Sequence, residues 1–410
     1  MPVASLNTTP VEKPSLEDIL CRVPALAERI REDAARRDRE RILPFDAFGW
    51  LREAQIGTIL VPREWGGPGG KVSDYLRVIR QLGAGDSNVA HALRSHFNFA
   101  LSILLRAPRQ PDALAFERLL SGAIFGGAHT ENLTRHPTDV GTRLLREGDH
   151  YRLTGRKHYA TGTAFADFAS FSAEDDEGNM VFAMIPTDRE GVEILDDWDG
   201  MGQRLTASGG VILNNVRVEP EEVGARDLDG QIGRHTSTVR QLHLAASAAG
   251  AVAAALEDGR RYVLDHGRAA AHSHARFARD DFFVQKELGE IAALAYGVDA
   301  TLTAVALEQD ATAAAFLRGA AEEEIDVLLV AGAISGARAQ LVAGKLALEA
   351  AGKIFELGGG SATSSEYNLD RHWRNIRTVL NHNPLNHKAR VVGDYLLNGT
   401  TTHLREGRVF

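Results

Sequence analysis

Residues 150–218 read HYRLTGRKHYATGTAFADFASFSAEDDEGNMVFAMIPTDREGVEILDDWDGMGQRLTASGGVILNNVRV, and the reading of this stretch decides the fold. Inside it lie YRLTG (151–155), HYATG (158–162), FADFASF (165–171), NMVFAMI (179–185), GVEIL (191–195) and VILNNVRV (211–218). Such short runs, rich in β-branched and aromatic residues and separated by glycine, aspartate and asparagine, describe an antiparallel sheet or barrel rather than alternating βα units. The Glu177-Gly178-Asn179 step is the clearest hairpin signal among them.

On the N-terminal side, apolar residues from Leu16 to about Leu120 recur at three and four, as in Leu26, Ile30, Phe45, Phe48 and Leu51, which predicts helices. Val61–Gly70 (VPREWGGPGG) carries two prolines and four glycines and reads as a turn-rich loop. Helical runs are expected at Ser73–Leu82 and Ala90–Leu105. Beyond Gly233 the chain is alanine-rich, and long helices are expected at about 236–265, 283–317 and 322–357, with a shorter one at 386–397. Long helices with small residues and apolar stripes are what a bundle uses. The expected organisation is α+β: an N-terminal helical domain over 1–124, a middle β-barrel over 125–232 and a C-terminal four-helix bundle with a site loop over 233–410.

The 410 residues carry a formal net charge of −9, with 44% hydrophobic and 25% charged residues, ordinary for a globular protein. No signal peptide is evident, and no run of eighteen uncharged apolar residues predicts a membrane span. The single cysteine, Cys21, excludes an internal disulfide and suits a reducing cytoplasm. An acidic balance argues against a nucleic-acid groove. No GxGxxG follows an expected strand, and GxxxxGK[ST], HExxH and a nucleophile elbow are all missing, so nicotinamide, P-loop, zinc-protease and serine-hydrolase readings lack support and no metal site is expected.

Two segments carry more chemistry. Glu356–Ser365 (ELGGGSATSS) is either a plain helix end or a set of backbone N–H groups open to a phosphate. Leu369–Gly399 gathers Arg371, His372, Arg374, Arg377, His382, His387, Lys388 and Arg390, which reads either as a wall for something anionic or as caps and ion pairs at helix ends. Pro384 disfavours helix at Asn383 and sets His382 on a loop between two helices.

VPREWGG (61–67), HTENLTRH (129–136), GRKHYATGTAFAD (155–167), DWDGMGQRLTASG (197–209), ELGGGSATSS (356–365) and LDRHWRNIRTVLNHNPLNHKARVVGD (369–394) together resemble the acyl-CoA dehydrogenase superfamily, and within it the flavin-dependent monooxygenase branch that includes the dibenzothiophene and dimethyl sulfone monooxygenases. The resemblance implies the fold order above, a homotetramer, and a flavin held between barrel and bundle. It implies reduced FMN delivered by a separate NAD(P)H flavin reductase, O2 as co-substrate, and oxygenation of a small organic molecule, with organosulfur compounds as the leading candidates, through a C4a-(hydro)peroxyflavin. By the same resemblance Thr161 approaches the flavin ring, Thr206 and Ser208 lie beside it, Arg268 meets its phosphate, and Gly358, Gly359, Gly360 and Ser361 reach the flavin of an adjacent subunit. His96 and His382 correspond to the two histidines flanking flavin and substrate. Gly127 stands where desulfurisation enzymes have asparagine, a contact that His129 could replace. The alternative, an FAD-dependent acyl-CoA dehydrogenase, meets His382 where a catalytic carboxylate segment would begin, so no base for α-proton abstraction is evident.

Overall fold

The computed structural model describes residues 14–131, 140–225 and 230–405, so the second half of the HTENLTRH segment lies outside the described residues. Seven helices come first: α1 Leu16–Glu32, α2 Ala34–Glu40, α3 Phe45–Glu53, α4 Val72–Gly85, α5 Ser87–Ala92, α6 Arg94–Arg106 and α7 Ala113–Leu120. Their starts follow capping chemistry: Ser15 and Asp18 form a reciprocal box at α1, and the Asp86 carboxylate accepts from the Asn88 backbone N–H at α5. The expected Ala90–Leu105 helix is therefore two, broken at Leu93.

Eight strands follow: β1 Phe125–Ala128, β2 Arg143–Glu147, β3 His150–Lys157, β4 Phe168–Glu174, β5 Met180–Pro186, β6 Val192–Ile194, β7 Val211–Val218 and β8 Val223–Ala225. The expected β4–β5 hairpin is present, with Glu174 opposite Met180. The expected barrel is not. The strand order is β6-β7-β3-β2-β4-β5-β8, with β1 added beside β4, and the end strands β6 and β8 do not pair with each other. Two physical causes keep the sheet open. Both end strands are three residues long, and β2 meets β4 in register only at Arg143 and Glu174. Residues 195–210, between β6 and β7, leave the sheet and hydrogen-bond to helices instead.

The last third is helical: α8 Gln231–Asp265, α9 Phe282–Leu317, α10 Glu322–Lys353, α11 Asp370–Leu380, α12 Leu385–Asn398 and the short α13 Thr402–Arg405. α4 lies against α8 at a glycine contact so tight that a Cβ on Gly250 would sit 2.5 Å from the Gly83 backbone. That approach lets the Tyr75 hydroxyl on α4 donate to His243 Nδ1 on α8 at 2.8 Å, while His243 Nε2–H donates to the Ala90 carbonyl at 2.8 Å. α5 is thus fixed over the middle of α8.

α8, α9 and α10 are each long and apolar enough by composition to cross a membrane. The most apolar window of α8 is 83% buried within the protein and so needs no lipid, whereas that of α9 is only 28% buried. The uncovered face of α9 shows Phe282, Phe283, Tyr296 and Leu307.

α11 resolves the two readings of the basic segment. Arg371 and His372 both bind Asp258 on α8, the latter at 2.9 Å, and Arg374 binds Asp38 on α2 at 2.7 Å. Burial alone would raise Asp258, but the His372 hydrogen bond and the Arg371 charge hold it well below the ordinary carboxylate range. These basic residues are consumed in seating the helix, and α11 ends where the His382 loop begins.

Candidate active site

The break at Leu93 separates two histidines that a continuous helix would have carried together. His96, on α6, is fully buried: its Nε2–H donates to the Gly57 carbonyl at 2.9 Å and its Nδ1 accepts from the Phe125 N–H at 3.3 Å. Burial, partly offset by the Gly57 hydrogen bond, lowers it to about 4. Neither nitrogen is left for a ligand, and His96 does not meet His382. The histidine that does is His91, on α5, whose ring lies 6.4 Å from that of His382, edge to face.

His91 Nδ1 is 3.1 Å from Gln203 Oε1. Gln203 Nε2 points at the Asn375 backbone carbonyl, 3.2 Å away, which can only accept; this fixes the amide and leaves Oε1 to accept from His91 Nδ1–H. Burial, reinforced by the nearby Arg94 charge, lowers His91 to about 3, so the ring is neutral. Its Nε2 is then a bare lone pair, buried and without a hydrogen-bond partner.

The loop 195–210 extends this contact to the sheet. Gln203 N–H donates to Asn375 Oδ1 at 2.6 Å, and the Leu205 N–H donates to Asn88 Oδ1 at 3.1 Å. Gln203 and Ala207 both have left-handed backbone, with φ of +51° and +47°, a conformation that persists only where the surroundings impose it. Thr206 Oγ1 donates to the Gln203 carbonyl at 2.9 Å, and Ser208 Oγ links Thr206 Oγ1 at 2.6 Å to Thr161 Oγ1 at 2.7 Å. Gly162 seats this end against α5: a Cβ there would lie 2.1 Å from the Ala92 carbonyl. Thr161, Thr206 and Ser208 therefore come together in one chain of hydroxyls that ends on the Gln203 backbone carbonyl, while the Gln203 side chain separately holds His91.

His382 lies on the loop between α11 and α12, its Nδ1 3.2 Å from Asn383 Oδ1. It is solvent-accessible yet set among many neighbouring atoms, and desolvation together with the Arg94 charge holds it well below its ordinary value. Arg94 stands at the start of α6, half-buried, and burial plus the nearby Arg240 guanidinium lower it to about 9. Arg240, on α8, donates to Ser237 Oγ at 3.2 Å.

The other expected residues lie elsewhere. Gly358–Ser361 form the tight turns after α10, with Gly358 packed on Tyr262 so closely that a Cβ would touch its ring at 2.2 Å. Arg268 follows α8 and acts on the same Tyr262 by its charge. At a rise of 1.5 Å per residue, Tyr262 is roughly 28 Å along α8 from His243, a span longer than an FMN molecule. Gly127 backs onto His129, whose Nε2 would lie 3.0 Å from a Cβ at that position, so an imidazole occupies the space beside it.

Sequence reasoning missed His91, Gln203, Arg94 and Arg240. The local signal was ambiguous: nothing between Ala90 and Leu105 marks a helix break, and only the approach of Gly162 to Ala92 shows which histidine faces the sheet.

The hydroxyl cluster and the unpartnered lone pair fit one face of a flavin, since hydroxyls and a neutral imidazole can donate to or accept from a flat heteroaromatic edge. Comparison with known proteins agrees. Residues 23–110 match the acyl-CoA dehydrogenase N-terminal domain and residues 242–387 the acyl-CoA dehydrogenase C-terminal domain. A dibenzothiophene monooxygenase from Rhodococcus erythropolis is 31% identical over 390 residues, covering 91% of this chain and 92% of its own. FMN-bound TdsC from Paenibacillus sp. A11-2, a dibenzothiophene monooxygenase, superposes with a TM-score of 0.84 at 27% identity over 93% of this chain and 98% of its own. Methanesulfinate monooxygenase from Pseudomonas fluorescens gives 0.82 at 28% identity over 93% and 97%.

Proposed function

Because this chain belongs to the flavin-dependent monooxygenase branch of the acyl-CoA dehydrogenase superfamily, we propose that it oxygenates a small organic substrate with O2 and reduced FMN received from a separate NAD(P)H flavin reductase. The observation that carries the reading is that Gln203 gathers two features in one place: its backbone carbonyl anchors the hydroxyl chain Thr161–Ser208–Thr206, and its side-chain oxygen holds His91, whose buried Nε2 is an unpartnered lone pair near the His382 ring. Reduced FMN, when bound, supplies the electrons that activate oxygen. Thr161, Thr206 and Ser208 hold its ring edge. His91 Nε2 would accept a proton or a hydrogen bond at the reacting oxygen, and His382, whose ring lies 6.4 Å away, would donate or return one. Both rings are neutral in the folded protein, and His91, whose one N–H is held by Gln203, acts at Nε2 as an acceptor until it is protonated there. His96 is then a positioning residue, tying Gly57 and β1 to α6.

The distance between the two groups of expected flavin contacts supports a site completed between subunits. Arg268 and Gly358–Ser361 of one copy would take the phosphate end of a flavin whose ring lies against Thr161 of another. The exposed apolar face of α9 is the surface such a homotetramer would cover. A cytoplasmic location suits the exposed free thiol of Cys21.

Anaerobic titration with reduced FMN and with reduced FAD tests the reading, followed by admission of air in the presence of indole or dibenzothiophene. Preference for FMN and an oxygenated product are expected; preference for FAD, or oxygen consumption without product, counts against it. His91→Ala and His382→Ala should each keep FMN affinity and lose roughly a hundredfold or more in oxygenation, the cost typical of removing one donor to a developing charge.

A further inference from the structure

Resting on the monooxygenase reading, we infer that the substrate carries an oxyanion head group, such as a sulfinate or carboxylate, and that Arg94, assisted by Arg240, receives it. Among the described residues the buried arginines are matched by acids, Arg37 by Asp46 at 2.7 Å, Arg234 by Asp326 at 2.7 Å, and Arg371 by Asp258, whereas Arg94 is half-buried with its Nε shut off from water. Arg94 is the exception in kind. Among the described residues it forms no ion pair, and its buried Nε has no hydrogen-bond partner. Asn98 Oδ1, one turn further along α6, is a second buried atom without a partner, and His91 Nε2 a third.

An uncompensated guanidinium withdrawn from water is costly, and a protein retains one where a ligand supplies the missing charge. Arg240 reinforces the demand. Its guanidinium is near enough to depress that of Arg94, and both act on His382. Since His91 and His382 are neutral, the Arg94 guanidinium sets the sign of the field beside them. Guanidinium is also the group whose donors match two oxygens at once, which distinguishes a sulfinate or carboxylate from a neutral thioether or indole.

Calorimetric titration of the flavin-free and FMN-loaded protein with methanesulfinate, benzenesulfinate and benzoate, and with neutral indole, tests the assignment. At least one of the three anions should bind the parent protein. Arg94→Gln should weaken that binding about ten- to a hundredfold, the worth of a hydrogen bond to a charged group, and leave indole and reduced FMN affinities within about twofold. Arg94→Lys, which keeps the charge and the fold, should fall between. The melting temperature of Arg94→Gln should be equal to or above the parent's, because an unpaired buried charge has been removed. Failure of all three anions to bind the parent, unchanged anion affinity in Arg94→Gln, or a loss of FMN affinity in that variant would each overturn the proposal. Anion binding that depends on Arg94 in a protein that binds no flavin would uphold the anion site and refute the monooxygenase reading alone.

Discussion

Two clusters of arginine and histidine lie against α8, about five turns apart at Arg240 and Asp258, and they are built on opposite terms. At the α11 junction, Asp258 serves Arg371 and His372, Arg31 approaches it at 3.6 Å, and Asp38 serves Arg374. At the candidate active site, Arg94, His91 and His382 share no carboxylate, and polar atoms of Arg94 and His91 have no partner. The junction is complete in the folded chain, whereas the site is completed by something it binds. Residue type alone does not separate the two; the presence of an acid does.

The largest expected effect is acid lability, because both kinds of region also depend on histidines kept neutral. Burial lowers His91 to about 3, His96 to about 4 and His235 to about 3, from an ordinary value of 6.5. The unfolded chain protonates these rings near 6.5 and the folded one only well below, so their contribution is complete above about 6.5 and falls as pH drops from there toward 4. Each ring costs about 1.4 kcal/mol per pH unit across that window. Urea unfolding from pH 7 to 4.5 should lose several kcal/mol in total. A stability profile that is flat over this range would mean that these rings take up protons in place.

Removal of the shared acid at the junction comes next. Asp258→Ala leaves Arg371 buried without its counter-charge and His372 without its hydrogen-bond acceptor, a change that typically costs about 3–5 kcal/mol. The expected result is a lower unfolding midpoint, with the fraction that remains folded still able to bind FMN. Loss of flavin binding without loss of stability would erase the contrast between the clusters.

A smaller effect separates the two histidines of the broken helix. His96→Ala removes hydrogen bonds to Gly57 and from Phe125 and opens a cavity, so a loss of about 2–3 kcal/mol of stability is expected, with oxygenation by the folded protein little changed. His91→Ala should show the reverse pattern, which thermal melts paired with product assays would reveal. Equal losses of turnover in both variants would place His96 in the site after all.

How much of this was legible in the sequence follows from the range of the interactions involved. α8, α9 and α10 answer to apolar and small-residue patterns and local caps such as Asp281, and the sequence places them to within a few residues. Pro384 likewise marks the loop that carries His382. Closure of the sheet does not answer to local pattern, because it depends on whether β6 and β8 find each other across the domain, and each looks like an ordinary strand. The basic residues of α11 are partnered by acids 113 and 336 positions away in Arg371–Asp258 and Arg374–Asp38, so neither reading of that segment could be chosen from its own composition. The split between Thr161 and the glycine turns is equally non-local, since it comes from the length of α8.

The smallest effect probes whether the hydroxyl chain is part of the site or merely part of the loop that carries it. Ser208→Ala removes the hydroxyl joining Thr161 to Thr206, at 2.7 and 2.6 Å, while Thr206 keeps its hydrogen bond to the Gln203 carbonyl. Two neutral hydrogen bonds are lost and two hydroxyls can turn to new partners, so the expected cost to stability is about 1 kcal/mol. Gln203 remains tied to Asn375 and continues to fix the protonated Nδ1 of His91, so the lone pair on Nε2 should survive. Reduced-FMN affinity is therefore expected to drop a few-fold through Thr161, with turnover at saturating flavin close to the parent's. A fall in saturated turnover as large as that of His91→Ala would instead show that the Ser208 hydroxyl acts on the reaction itself, and that the site extends from the α5 lone pair into the sheet.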